Sequence, residues 1–389
     1  MLLGCLFLLS SEIRNKITLS KYEKGLIVVL VLYFLSVLME VWYFELSINR
    51  AGEASKALLL APCILLLNFA KIEFKTVALG LIVGCFGLLT LGLYEHAYLV
   101  KWRIGTNINP IRLGSVAAIY ATMLLLYIPL IYQKIKYGKY LAIFAVIGVC
   151  GAFYTSGLTI SRGAFIPLPI LVLIIAYCYR RQIAGKAKTA IIIFVLIVTT
   201  GAIWLPSTSV VSRFDTAIKN FDSYFFDGNS NTSTGVRLEL WKSGLIIASQ
   251  SPIIGVGFEG FQSQKSSLVQ QGKIAPSVDK YDNAHSAYVN ALVRRGILGL
   301  AVIIIFIGFP VYIGVQKLRQ RTIKVDVIAL SLVVFGVYFA VSNITLSFYL
   351  RNGGVILYSG MLIILVALFA NSYRDQEKNL PDKTEEITS

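Results

Sequence analysis

The chain has 389 residues, of which 56% are hydrophobic and only 14% are charged. A soluble globular domain has fewer apolar and more charged residues, so this composition excludes that class. The formal net charge of +16 suggests nucleic acid, but the basic residues stand in short clusters between apolar runs and form no long basic stripe. We therefore expect membrane lipids around the protein and no nucleic-acid partner.

Apolar runs recur along nearly the whole chain, and a helix of about 20 apolar residues crosses the hydrocarbon core of a bilayer. The sequence predicts eleven spans, at 1–11, 25–44, 57–70, 76–94, 113–132, 140–157, 164–179, 189–206, 296–315, 325–344 and 353–370. The first run is too short to cross alone, which leaves two interpretations: a partial helix, or a fuller helix that starts upstream.

The basic clusters alternate between the predicted spans. Clusters at 14–24, 71–75, 134–139, 180–188 and 317–324 face the cytoplasm by the positive-inside rule. The segments that must then face outward are 45–56, 95–112, 158–163, 207–295 and 345–352. The predicted organisation is an N-terminal transmembrane bundle (1–206), a loop domain (207–295), C-terminal transmembrane helices (296–371) and a disordered cytoplasmic tail (372–389).

The outward segment 207–295 is long enough to build a site outside the bilayer. Apolar residues repeat at helical spacing over 210–221, which predicts an amphipathic helix on the membrane surface. A second helix is predicted over 236–249, with Thr234 as its N-cap and Arg237 in its first turn. A cation there opposes the helix dipole, so we expect an anionic partner for Arg237. A third helix is predicted to begin near Asn283 and to carry His285.

Gly255, Gly257 and Gly260 match the GxGxxG pattern of dinucleotide-binding loops. No βαβ pattern surrounds them and no acidic residue follows at the expected distance. We interpret this stretch as a tight turn.

Arginines and one histidine are the groups with chemistry on the predicted outer side. Arginine presents a planar, permanently charged fork that matches phosphate oxygens, and a neutral histidine accepts a proton from a hydroxyl. Each of these residues also has a structural interpretation. In that interpretation Arg162 extends to lipid headgroups, Arg237 forms an ion pair with Glu239 or Asp282, and His285 is a hydrogen-bonded interfacial residue. For Arg294 and Arg295, beside a helix entry, headgroup binding is the favoured interpretation. Acidic residues, cysteines and histidines lack metal-ligand spacing here, so no metal and no cofactor is predicted.

Three stretches resemble the O-antigen ligase and polymerase superfamily of bacterial membrane glycosyltransferases. They are Ser161 to Ala164 before an apolar span, Arg237 to Trp241 followed by Pro252 to Gly257, and Asn283 to Gly299 with His285 and Tyr288. The resemblance implies an all-α fold: a polytopic transmembrane helical bundle of 11–12 spans, in the bacterial inner membrane, with one long periplasmic loop containing amphipathic helices.

The resemblance also implies an activity, which is transfer of a glycan from undecaprenyl pyrophosphate to an acceptor hydroxyl at the periplasmic face. Arginines matching Arg162 and Arg237, and less securely Arg103, hold the pyrophosphate, and a histidine matching His285 is the general base. The short length and single compact loop favour an O-antigen ligase, whose acceptor is lipid A-core. The alternatives are an O-antigen polymerase of the same superfamily and a lipid-linked glycan transporter or flippase, although most spans lack the central charges that a coupled transporter needs.

Overall fold

The computed structural model describes residues 17–105, 109–180, 209–320, 326–350 and 352–378. Within these ranges all regular structure is helical. The α-helices are α1 (Lys21–Tyr43), α2 (Gly52–Leu59), α3 (Pro62–Phe69), α4 (Phe74–Leu93), α5 (Pro110–Lys134), α6 (Gly138–Leu158), α7 (Arg162–Phe165), α8 (Pro167–Tyr179), α9 (Ser209–Phe226), α10 (Ser233–Gln250), α11 (Gly257–Gln270), α12 (Ala287–Leu318), α13 (Val327–Thr345) and α14 (Asn352–Lys378). Short 3₁₀ or π turns lie at Ile48–Ala51, Tyr94–Tyr98, Pro276–Val278 and Phe348–Leu350.

Eight helical segments in these ranges are long and apolar enough to cross a membrane, α2 and α3 counting as one segment, Ile48–Phe69. A ninth apolar helix, Gly163–Tyr179, is shorter. The prediction of an all-α, multi-pass membrane bundle is therefore confirmed. The predicted spans at 1–11 and 189–206 lie outside the described residues.

Polar contacts tie three helices together at one end of the bundle. Ser20 and Glu23 form a capping box at the start of α1. The Glu23 carboxylate also accepts hydrogen bonds from Asn68 at 2.8 Å and from Arg374 at 3.0 Å. The tail was predicted to be disordered from residue 372, but α14 continues to Lys378, so residues 372–378 are helical. The pairing of Arg374 with buried Glu23 explains why the chain stays helical there; residues 379–389 lie outside the described part.

Helices α9, α10 and α11 form the predicted loop. Residues of α10, α11 and the chain that follows share a small apolar core separate from that of the bundle; it consists of Val236, Leu240, Ile247, Phe261, Leu268, Ile274, Val278, Ala284 and Val293. The N-cap of α10 is Thr232, whose hydroxyl accepts from the N–H of Gly235. The prediction of Thr234 as the cap is wrong, and Arg237 lies in the second helical turn instead of the first.

Residues 252–256 of the glycine-rich stretch form a turn, as expected, and this turn packs on α12. Gly257 and Gly260 belong to α11, so the prediction of a turn is wrong for them. The Val256 N–H donates to the Val293 carbonyl at 2.9 Å, and the Ile297 N–H donates to the Pro252 carbonyl at 2.8 Å. These bonds occur where α12 kinks at Gly296, whose φ is +61°. A methyl group at Gly296 would lie 2.1 Å from the Ile253 carbonyl oxygen, so only glycine fits there. The predicted third loop helix and the following span are thus one kinked helix. This helix begins at Ala287, so the prediction that it begins near Asn283 and carries His285 is wrong.

The five segments that were predicted to face outward meet at the opposite end of the bundle. The Ile104 N–H donates to the Leu158 carbonyl, which joins segments 95–112 and 158–163. The Ala287 N–H donates to the Leu346 carbonyl at 2.9 Å, which joins the long loop to segment 345–352. Gly257 packs on Phe44, just before segment 45–56. The candidate site lies at this convergence.

Candidate functional site

His285 lies in the short connection between α11 and α12 and has an unusual backbone. Its φ is +49°, in the left-handed region that non-glycine residues seldom adopt. The Asn283 Oδ1 accepts a hydrogen bond from the His285 N–H at 2.9 Å, which fixes this conformation. Backbone strain of this kind occurs mostly where the surrounding structure imposes it at functional sites.

Asn290, buried in the first turn of α12, holds the residues on both sides of His285. Its Oδ1 accepts from the Ala284 N–H at 3.0 Å, and its Nδ2 donates to the Ser286 carbonyl at 2.8 Å and to the Ser347 hydroxyl at 2.6 Å. Ser286 caps α12 through the Val289 N–H. The histidine is therefore held by side chains of α12 and of the 345–352 segment.

Lys265 holds the chain that leads into this connection. Lys265 is a buried residue of α11. Its ammonium group donates to the Gln262 side chain and to the Asp279 carbonyl, both at 3.1 Å, and to the Tyr281 carbonyl. Burial lowers the pKa of Lys265, and the charges of Asp279 and Asp282 oppose that shift. Three acceptors satisfy the three ammonium protons, so the 279–281 segment has a fixed path toward His285.

Tyr281 lies beside the imidazole of His285, and the charge of Arg237 acts on that imidazole. The Tyr281 and His285 ring centroids are 5.2 Å apart in an edge-to-face arrangement. Burial lowers the pKa of His285, the positive charge of Arg237 lowers it further, and Asp282 raises it. The net effect is a pKa below the usual value of about 6.5, so the imidazole is neutral at pH 7 and able to accept a proton.

Glu239 is not the anionic partner expected for Arg237. The Glu239 carboxylate accepts from Tyr224 at 2.5 Å and from the Ala275 N–H at 2.8 Å, and it lies 3.7 Å from the Lys242 ammonium. Burial lowers the pKa of Arg237, which means that its environment disfavours an isolated charge. An anionic ligand at this position would relieve that cost.

A cavity of about 140 Å³ opens beside His285. Its lining comes from the start of α5, the connection before α12 and the 345–352 segment; the residues are Asn109, Ile111, Arg112, Asn283, His285, Leu346, Ser347 and Phe348. A guanidinium group and an imidazole thus face one space, which suits an anionic group next to a hydroxyl that loses its proton.

The Arg162 backbone lies next to the same cavity. A methyl group at the neighbouring Gly163 would lie 3.8 Å from Ile111 and from Leu346, both of which line the cavity. The chain enters α7 through Ile160, another non-glycine residue with a left-handed φ, of +52°. The side chain of Arg162 lies outside the described part of the structure.

Arg103 occupies a different position. Its Nε donates to the Thr159 carbonyl at 2.9 Å, which fastens its segment to the end of α6. It is not among the described residues that line the His285 cavity, whereas Arg112 is. Arg112 lies in the first turn of α5, after Asn109 and Pro110. A cation at the outer end of a predicted span is the sequence feature from which Arg112 could have been selected as a site residue.

Arg294 and Arg295 do not extend to headgroups, contrary to expectation. The Nε atom of Arg294 lies 2.8 Å from Glu40 Oε1, and that of Arg295 lies 3.7 Å from Glu40 Oε2. The carboxylate of Glu40 is buried in α1 and compensates both charges. Sequence reasoning missed this ion pair because its members are more than 250 positions apart.

The comparisons with known proteins agree with this geometry. Residues 151–304 match the family model described as O-antigen ligase. The chain is 28% identical to an uncharacterized protein of Haemophilus influenzae over 367 residues, which cover 91% of this chain and 88% of that protein. It is 22% identical to an O-antigen ligase of Escherichia coli K12 over 223 residues, which cover 57% of this chain and 51% of that protein.

Residues 151–304 therefore resemble the O-antigen ligase superfamily. The matched residues contain Arg162, Arg237 and His285, whereas Arg103 and Arg112 precede them. The resemblance drawn from the three sequence stretches is confirmed. The resemblance implies a membrane glycosyltransferase-like enzyme that handles lipid-linked glycans.

Proposed function

We propose that this protein is an O-antigen ligase of the bacterial inner membrane, with its active site at the periplasmic face. It transfers a glycan from undecaprenyl pyrophosphate to a hydroxyl group of lipid A-core. The observation that carries the proposal is that His285 and Arg112 line one cavity, in which burial and the charge of Arg237 lower the pKa of His285.

The reaction assigns one task to each group. The acceptor oxygen attacks the anomeric carbon of the glycan, the carbon–oxygen bond to the pyrophosphate breaks, and undecaprenyl pyrophosphate leaves with the electron pair. His285 takes the proton of the attacking hydroxyl. Arg162 and Arg237, together with Arg112, bind the pyrophosphate and stabilise its growing charge, while Arg103 fastens the neighbouring segment. Since arginines supply this charge, the proposed transfer needs no metal and no cofactor.

A purified transfer assay with lipid-linked glycan and lipid A-core tests the proposal. His285→Ala should lower the transfer rate by about 10²-fold or more, the scale of a positioned general base. Arg162→Ala and Arg237→Ala should abolish transfer while the protein still inserts, and a chelator should leave the wild-type rate unchanged. Wild-type turnover by His285→Ala would refute its role as the base.

Deletion in the native host separates the ligase from the alternatives. A lipopolysaccharide gel that loses the ladder, keeps intact core and accumulates lipid-linked polymer identifies a ligase. Core carrying a single unit identifies the polymerase instead. Accumulation of the lipid-linked glycan on the cytoplasmic side identifies a flippase. Retention of the full ladder in Arg162→Ala and Arg237→Ala strains would contradict the proposed site.

A further inference from the structure

A second and larger cavity lies on the other side of Asn283. It has a volume of about 320 Å³, within the range of small-ligand sites. Its lining combines the 3₁₀ turn Ile48–Ala51 and α2 with residues of the long loop and of α12 and α14; the residues are Asn49, Arg50, Gly52, Glu53, Lys56, Phe258, Asp282, Asn283, Arg294 and Asn352. The catalytic roles proposed above use none of these side chains except that of Asn283, which orients His285.

Three cationic side chains line this cavity: Arg50, Lys56 and Arg294. The Arg50 guanidinium lies 3.8 Å from the centre of the Phe258 ring, and Arg294 lies 5.1 Å from the same ring. Arg294 is neutralised by Glu40. Neither Arg50 nor Lys56 forms an ion pair with a described side chain. The lining therefore offers Arg50 and Lys56 as donors to phosphate oxygens. It also contains the carboxylates of Glu53 and Asp282, which can accept hydrogen bonds from saccharide hydroxyl groups.

The neutral part of the lining suits a sugar. The side-chain amides of Asn49 and Asn352 each offer donors and an acceptor, which is what neighbouring hydroxyl groups of a saccharide require. A ligand with both hydroxyls and a phosphate uses the amides and the two cations together. The cavity is too polar for an acyl chain, which has no group that pairs with these side chains.

Asn283 connects this cavity to the proposed reaction. It lines both cavities, and its Oδ1 accepts from the His285 N–H. A ligand in the larger cavity is thus separated from the imidazole by a single residue. A donor pyrophosphate beside Arg112 and a saccharide beside Arg50 would approach His285 from opposite sides of Asn283.

We propose that the larger cavity is the acceptor subsite and that it binds a phosphorylated sugar of the acceptor glycolipid through Arg50 and Lys56. This inference rests on the proposed transferase function and names the acceptor chemistry. Arg50 and Lys56 bind the acceptor and take no part in proton transfer.

Kinetics with two forms of one acceptor test the subsite. Both probes are lipid A-core isolated from a host in which the gene for this protein is deleted. One is used untreated, and the phosphate groups of the other are hydrolysed. With untreated acceptor, Arg50→Gln and Lys56→Gln should each raise the acceptor KM by about tenfold, the scale of one lost charge-assisted hydrogen bond. The kcat and the donor KM should not change. With hydrolysed acceptor, the wild type should show a KM raised at least as much as that of either variant with untreated acceptor, and the variants should no longer differ from the wild type.

The matched control is Lys273→Gln, which removes a positive charge from an exposed position of the long loop, outside the cavity, and should leave every constant unchanged. Unchanged acceptor KM in Arg50→Gln and Lys56→Gln, with active wild type, would overturn the subsite alone. A wild type that transfers glycan to neither acceptor would overturn the function on which it rests. If the cations bind lipid headgroup phosphates instead, the variants will lose stimulation by phosphatidylglycerol nanodiscs relative to phosphatidylcholine and keep the wild-type acceptor KM.

Discussion

The Asn283 side chain accepts a hydrogen bond of 2.9 Å from the backbone N–H of His285. This contact stabilises a histidine with a left-handed φ of +49°, a conformation that costs about 1 kcal/mol or more outside glycine. Asn283 also lines both cavities at the site. One short polar side chain therefore orients the imidazole and separates the two proposed substrates.

Replacement of Asn283 tests this orienting role. Asn283→Ala removes the acceptor of the His285 N–H, so we expect kcat to fall by about tenfold, the scale of one buried hydrogen bond left unmade. Asn283→Asp keeps an oxygen at that position and should retain more activity than the alanine variant. The added carboxylate should also raise the pKa of His285 and move the pH–rate midpoint upward. Equal losses in both variants, with no shift of the pH midpoint, would contradict a positioning role.

The pH dependence of transfer follows from the surroundings of His285. Burial and the charge of Arg237 lower its pKa, and the neutral imidazole is the proposed base. The rate should therefore rise with pH, with a midpoint below about 6.5, and stay level at neutral pH. Since Asp282 raises this pKa, Asp282→Asn should move the midpoint to still lower pH.

This titration has a readout that does not depend on activity. The chain has two histidines, so His96→Gln leaves His285 as the single imidazole. The rate of its modification by diethyl pyrocarbonate, which attacks neutral imidazole, should follow the same midpoint as transfer. A midpoint at or above the unperturbed value would show that burial and Arg237 do not act on His285 as inferred.

Local sequence patterns predicted the fold and part of the site. Apolar runs and basic clusters located the spans, and the five segments predicted to face outward do meet at one end of the bundle. His285 and the Arg162 backbone were found because their neighbours in sequence resemble the family. The ion pair between Glu40 and Arg294 was missed because it depends on how α1 packs against α12, which no local pattern encodes. The predicted N-cap of α10, Thr234, lies two residues after the observed N-cap, Thr232. Both are threonines, whose hydroxyl groups cap a helix equally well, so the local sequence does not distinguish them.

Arg112 and Arg103 should differ in their effect on the donor. Arg112 lines the cavity of His285, whereas the Arg103 Nε is bonded to the Thr159 carbonyl. Arg112→Ala should raise the donor KM by about tenfold, as expected for one charge-assisted contact with pyrophosphate. Arg103→Lys keeps the charge but loses the planar fork, so it should loosen the segment and lower thermal stability. A donor KM that responds only to Arg103 would place the pyrophosphate at the other segment.

The kink of α12 requires glycine at position 296. Gly296→Ala places a methyl group 2.1 Å from the Ile253 carbonyl at a φ of +61°, so we expect a loss of about 2 kcal/mol or more in the free energy of unfolding. Gly308→Ala is the matched control, since a methyl group there meets nothing within 4 Å. Thermal unfolding of the detergent-solubilised variants measures both. Equal stability of the two would mean that the turn before α11 does not fix the kink.

Buried Glu40 compensates two guanidinium groups, so its neutralisation should be costly. Glu40→Gln leaves Arg294 and Arg295 without a counter-charge in a buried place, and we expect a loss of about 3 kcal/mol or more in the free energy of unfolding. Adding Arg295→Met should recover part of that loss, because one of the two uncompensated charges is then absent. The exposed Glu45, at the same end of α1, provides the control, and Glu45→Gln should stay within about 0.5 kcal/mol of the wild type. If the double variant is no more stable than Glu40→Gln alone, the carboxylate acts through Arg294 only.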